Sequence, residues 1–118
     1  MAYKPRRCGK RWLDGDCPAG VLAIIDHGDR ELDRYDVLYA DVSEVKYEDS
    51  WRTEQWMGGL ALTDRGAAYH FEMRAHEVSA YRYRMKHRYT KWSTLPTAVK
   101  SAVVNDLAEL DRERQGHG

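Results

Sequence analysis

Apolar and polar residues alternate strictly from Tyr69 to His76. Tyr69, Phe71, Met73 and Ala75 fall on one side, in phase with Ala67, and His70, Glu72, Arg74 and His76 on the other. A period of two is the mark of a β-strand with one dry and one wet face. Its dry face must be covered by another element, so this stretch demands both a sheet and a cover.

The same logic reads further strands upstream. Val21 to Ile25 is a continuous apolar run, consistent with a buried strand, and it stops at Asp26-His27-Gly28-Asp29. Tyr35 to Val42 returns, with Tyr35, Val37 and Tyr39 on one face and Asp36, Leu38 and Ala40 on the other. The two fit an antiparallel hairpin with a long acidic tip. Residues 43–55 read as a polar connection apart from Trp51. Trp56 to Leu62 is another strand, whose Gly58-Gly59 pair marks a bulge or a close backbone approach. Thr63 to Gly66 is a tight turn in which Asp64 can bond its own backbone and Gly66 can take a positive φ.

Beyond Pro96 the period changes. Leu95, Val99, Val103, Leu107 and Leu110 form one helical stripe, with Ser93 or Thr94 as cap and Pro96 in the first turn. The expected fold is α+β, a mostly antiparallel sheet of four to five strands with one C-terminal helix packed on it. Residues 1–20 read as a basic N-terminal arm, anchored through Trp12 and Leu13; residues 21–110 form a single domain, and residues 111–118 form a charged tail that frays.

The segment Tyr81 to Trp92 carries the strongest surface signal. Arg82, Arg84, Lys86 and Arg88 alternate with Tyr81, Tyr83, Met85, His87 and Tyr89, and Lys91 follows. The alternation favours a fifth strand with a basic row on one face. A helix is the alternative, since Val78, Tyr81, Met85, Tyr89 and Trp92 also share helical spacing. In either form the basic side chains suit a polyanion or an acidic protein surface, and Tyr81, Tyr83, Tyr89 and Trp92 are candidates to stack on bases. The competing role for these aromatics is plain core packing.

The net charge of zero hides a strong segregation. Residues 1–13 carry five bases (Lys4, Arg6, Arg7, Lys10, Arg11) and no acid, and residues 14–49 carry eleven acids against three bases. Arg6, Arg7, Lys10 and Arg11 therefore join the basic segment as candidate contacts. With 42% apolar and 32% charged residues, the 118-residue chain is a globular domain rather than a disordered one. Its longest apolar run, five residues, falls far short of the roughly 20 that span a bilayer, and no secretory signal is visible, so a cytoplasmic protein is expected.

Cys8 and Cys17 are expected as free thiols; a zinc site shared with two of His27, His70, His76 and His87, and a disulfide, are the alternatives. No other cofactor is expected. His70, Glu72 and His76 share a face and could do acid–base work, but no nucleophile elbow, P-loop, H-E-x-x-H or C-x-x-C motif accompanies them, so a non-enzyme is expected. The acidic stretch from Asp26 to Asp49 reads as a solvated loop or as a mimic of a phosphate ladder.

Arg34 to Tyr39, Gly59 to Thr63, Gly66 to His70 and the Trp92-Ser93-Thr94-Leu95-Pro96 stretch leading to Leu107 together resemble small uncharacterised proteins of actinobacterial phages and mobile elements. The resemblance covers residues 34–110 and brings no catalytic residues. It implies an accessory protein that binds something of the host. The leading expectation is a non-enzymatic protein that inhibits or redirects a host or defence protein, of the anti-CRISPR or counter-defence type. The first alternative is a nucleic-acid-binding protein using residues 81–92. The second is a small-ligand or nucleotide-sequestering protein with a pocket lined by Trp56, Tyr69 and neighbouring basic residues. An uncovered strand edge would also allow a homodimer.

Overall fold

A computed structural model describes residues 4–48 and 51–116. The first three residues of the basic arm, Asp49 and Ser50 at the end of the acidic stretch, and His117 and Gly118 of the tail lie outside the described residues. The chain is an α+β domain. Strands β1 (Val21–Asp26), β2 (Tyr35–Lys46), β3 (Thr53–Leu62) and β4 (Ala68–Arg74) form one antiparallel meander in the order β1-β2-β3-β4. Helix α1 (Ala75–Met85) follows directly, then two short 3₁₀ turns (Lys86–Arg88 and Trp92–Thr94), then helix α2 (Thr97–Gly116).

The alternation in β2 divides the core in two. Tyr35, Val37 and Tyr39 point to a cluster that also holds Leu60, Leu62, Trp92, Val99 and Val103. Leu38 points the other way, to a cluster with Leu22, Ile25, Met57, Ala75 and Val78. Helix α2 therefore covers one face and helix α1 the other. Strand β1 is buried along Val21 to Ile25 because both its faces are covered. A bulge between Val21 and Ala23 turns Leu22 and Ala23 to the same side.

Residues 75–85 are helical, which overturns the leading strand reading and supplies a second helix that the expected fold lacked. Val78, Tyr81 and Met85, at helical spacing, pack against the second cluster. Tyr83, which a strand would have turned inward, is 71% exposed. The helix starts where the Glu77 carboxylate accepts a hydrogen bond from the Arg74 backbone N–H at 3.3 Å. A carboxylate there satisfies an end-of-helix donor and faces the positive end of the helix dipole.

Other details also differ from expectation. Residues 43–46 and 53–55 extend β2 and β3 into a two-stranded ribbon beyond the reach of β1 and β4. In the Thr63–Gly66 turn it is the Thr63 hydroxyl, not Asp64, that accepts a backbone N–H, from Ala67 at 3.1 Å. Gly66 does take a positive φ, +89°. Pro96 stands just before α2, and its carbonyl accepts the Val99 and Lys100 N–H groups. Ser93 does not cap α2; its hydroxyl donates to Asp14 at 2.6 Å, and its N–H to the other oxygen of the same carboxylate. Residues 111–116 continue the helix instead of fraying.

Trp12 and Leu13 anchor the N-terminal segment as expected. Leu13 packs on the α2-side core, and Trp12 meets Tyr89 edge-on at 6.0 Å. The Trp92 indole donates to Asp16 at 3.0 Å. Along β1, Cys8 N–H and Thr90 N–H donate to the carbonyls of Leu22 and Ile24. That edge is thus covered, leaving β4 as the sheet edge with no strand beyond it among the described residues. No described helix is long and apolar enough to cross a membrane.

Candidate polyanion-binding groove

Helical geometry splits the basic row. Residues four apart share a helix face and residues two apart do not. Arg82 and Lys86 therefore point together, toward the N-terminal segment, and Arg84 points elsewhere. Lys4 and Arg6 close on them from the other side. These four cations, with Tyr83 and Tyr89, line a shallow groove of about 520 Å³, and among the described residues no carboxylate lines it.

Each wall is held by particular contacts. Arg82 is half-buried, its Nε donating to the Tyr89 hydroxyl at 3.3 Å while that hydroxyl donates back to the Arg82 carbonyl at 3.4 Å. Its Nη2 lies 3.9 Å from Cys8 Sγ. The Lys86 ammonium sits 4.5 Å from the centre of the Tyr83 ring. Arg82 and Lys86 are thus positioned, with the exposed Tyr83 ring beside Lys86.

The remaining basic candidates are not in the groove. Arg7 donates to the Val21 and Pro18 carbonyls, and Arg88 to the His27 carbonyl at 3.2 Å. These two are used as structural donors. Arg84 lies over Tyr81 and Arg11 over Trp12. Lys10 and Lys91 are exposed outside the groove lining. Lys4 was not among the residues singled out from the sequence; only the fold shows that it, rather than Arg7, faces α1.

The aromatic candidates separate in the same way. Trp92 is buried in the α2-side core and cannot stack on a ligand. Tyr81 donates to Asp36, whose Oδ2 also lies 2.8 Å from His27 Nε2. Burial, and then this bond to a carboxylate, raises the Tyr81 phenol well above its ordinary range. Trp56 and Tyr69 do not share a pocket: Trp56 is on the α2 side, where Arg74 lies over its ring, and Tyr69 projects from the opposite face of β4, 61% exposed. The pocket expected for a small ligand between these two is not formed.

The trio His70, Glu72 and His76 is broken by the start of α1, which carries His76 off the strand. His70 instead bonds Asp106 of α2 at 2.5 Å. At the acidic hairpin tip Asp26 is consumed internally. Burial pushes its carboxyl up, but hydrogen bonds from Arg34 and from the Gly28 N–H outweigh this and hold it below the usual range.

Cys8 and Cys17 are free and pack against opposite faces of the sheet, so no one ion contacts both and no disulfide joins them. Among the described residues no three ligating side chains gather as a metal site. Burial raises the Cys8 thiol, and pushes Cys17 up to about 11, so neither is poised as a thiolate at neutral pH.

Compared with models of known protein families, with curated proteins and with solved structures, the chain matches none of them.

Proposed function

We propose that this protein is a non-enzymatic binding module that holds single-stranded nucleic acid in the groove between its N-terminal segment and α1. One observation carries the reading. Two segments about 80 residues apart bring Lys4, Arg6, Arg82 and Lys86 around an exposed tyrosine, with no carboxylate among the described residues of the lining. Cations that track phosphates beside an aromatic face that takes a base are the two parts of such a site.

The test is fluorescence anisotropy of a labelled oligothymidylate across a salt series. Three to four phosphate contacts give a slope of log K against log salt of about −2 to −3. The double reversal Arg6→Glu, Lys86→Glu abolishes the binding. Absence of binding at low salt, or binding that survives the reversal, refutes the proposal.

Inhibition of a host or defence protein is a second reading, supported by the β2–β3 ribbon. Val45 is exposed on it and Tyr47 and Trp51 just beyond its strand ends, Trp51 at 92%, a set of apolar groups suited to a protein interface. A discrete host protein retained after nuclease treatment, and lost with Trp51→Ala, is its expected result. Retention that depends on nucleic acid returns the case to the groove.

A further inference from the structure

A second groove, of about 800 Å³, lies on the opposite side of the sheet, between the C-terminal half of α2 and the β2–β3 pair. Its apolar surface comes from Trp56, Leu107 and Leu110. Four carboxylates line it as well, those of Asp41, Glu72, Asp111 and Glu113. Among the described residues the sole cation of the lining is Arg114, and its guanidinium is already paired with Asp41. The chain thus places Arg114 on this rim and Arg74, paired with Glu54, over the Trp56 ring, and leaves Glu72, Asp111 and Glu113 exposed.

We infer that this groove is a docking site for a basic amphipathic peptide segment of a partner protein. The argument is charge complementarity over an apolar floor. An amphipathic helix lays its apolar stripe in such a groove, while lysines or arginines flanking the stripe meet the rim acids. The volume is in the range of sites that take several side chains. A nucleic acid is excluded from this groove by the same carboxylates. The inference does not rest on the basic groove, which lies on the α1 side.

The experiment measures binding of a labelled amphipathic leucine–lysine peptide to the full chain, with a leucine–glutamate peptide of equal length as control. The leucine–lysine peptide binds and the control does not. Glu72→Lys with Glu113→Lys weakens binding by about tenfold or more, as sign reversal of two rim charges should. Both side chains are exposed, and thermal melts check that the fold survives. The matched reversal Asp29→Lys with Glu31→Lys, in the β1–β2 loop, leaves binding unchanged. Arg114→Ala frees Asp41 and tightens it. Absence of binding, equal binding of the control peptide, equal loss from the loop reversal, or weakening by Arg114→Ala each overturns the inference. Oligonucleotide affinity, read on the same variants, reports on the basic groove separately.

Discussion

The two faces of the sheet use the same fastening and bury very different cores. On the α2 face, Asp106 of the helix accepts the Tyr39 hydroxyl at 2.6 Å and bonds His70. On the α1 face the roles are exchanged: Asp36 of the sheet accepts the hydroxyl of Tyr81 from the helix and bonds His27. Beneath these matched links, the α2-side cluster holds eleven buried residues, including Trp92, and the α1-side cluster seven, ringed by half-buried Phe71, Met73 and Met85. The larger dry core should carry more of the stability. The shallower side leaves α1 free to present its cations, and it is there that the basic groove lies.

The largest test of this contrast is truncation on each side. Trp92→Ala removes a buried indole and its bond to Asp16, at a cost of about 3–5 kcal/mol. Met85→Ala, on the half-buried fringe, costs about 1–2 kcal/mol because less of the side chain leaves water. Urea denaturation measures both, and equal losses would erase the distinction between the faces.

The glycine pair gives a smaller contrast. A Cβ on Gly59 would stand 2.6 Å from the Val37 carbonyl oxygen and from the Phe71 ring, whereas one on Gly58 meets nothing nearer than 3.6 Å. Gly59→Ala is expected to cost about 1–3 kcal/mol by overpacking. Gly58→Ala should stay within about 0.5 kcal/mol by thermal melting, as surface changes usually do. A tolerant Gly59 would mean that the α1 face yields more readily than its packing indicates.

The finest test uses pH. Burial and then hydrogen bonding to a carboxylate raise both the Tyr39 and Tyr81 phenols. The unfolded chain loses these protons near pH 10. The fold retains them, so their stabilisation is complete below about pH 10 and falls away as pH rises beyond it. Tyr39→Phe and Tyr81→Phe each cost about 1 kcal/mol at neutral pH. Each also flattens the alkaline loss of melting temperature. An unchanged alkaline slope in the double variant would show that these links do not hold the helices.

Local pattern made most of the fold legible. The alternation around Phe71 and along Tyr35 to Val42, and the stripe from Leu95 to Leu110, follow from periods of two and 3.6, which depend only on neighbouring residues. The segment from Ala75 to Met85 was the exception, since its tyrosines and arginines satisfy both periods. The clue lay in Val21 to Ile25, a run apolar on both faces, which one helix could not have covered. Glu77, placed to cap a helix starting after Arg74, was a second.

Sequence alone thus determined the cores of the four strands, α2, the anchoring of the N-terminal segment and the segregation of charge. Tertiary structure decided which charges act together. Lys4 and Arg6 meet Arg82 and Lys86 only because the N-terminal segment runs along the outer edge of β1 while α1 packs on one face of the sheet. Arg7 and Arg88, equally basic in the sequence, are bound to backbone carbonyls instead. A charge pattern along a chain sets the supply of cations, but their convergence is a long-range contact, fixed by the burial of apolar surface elsewhere.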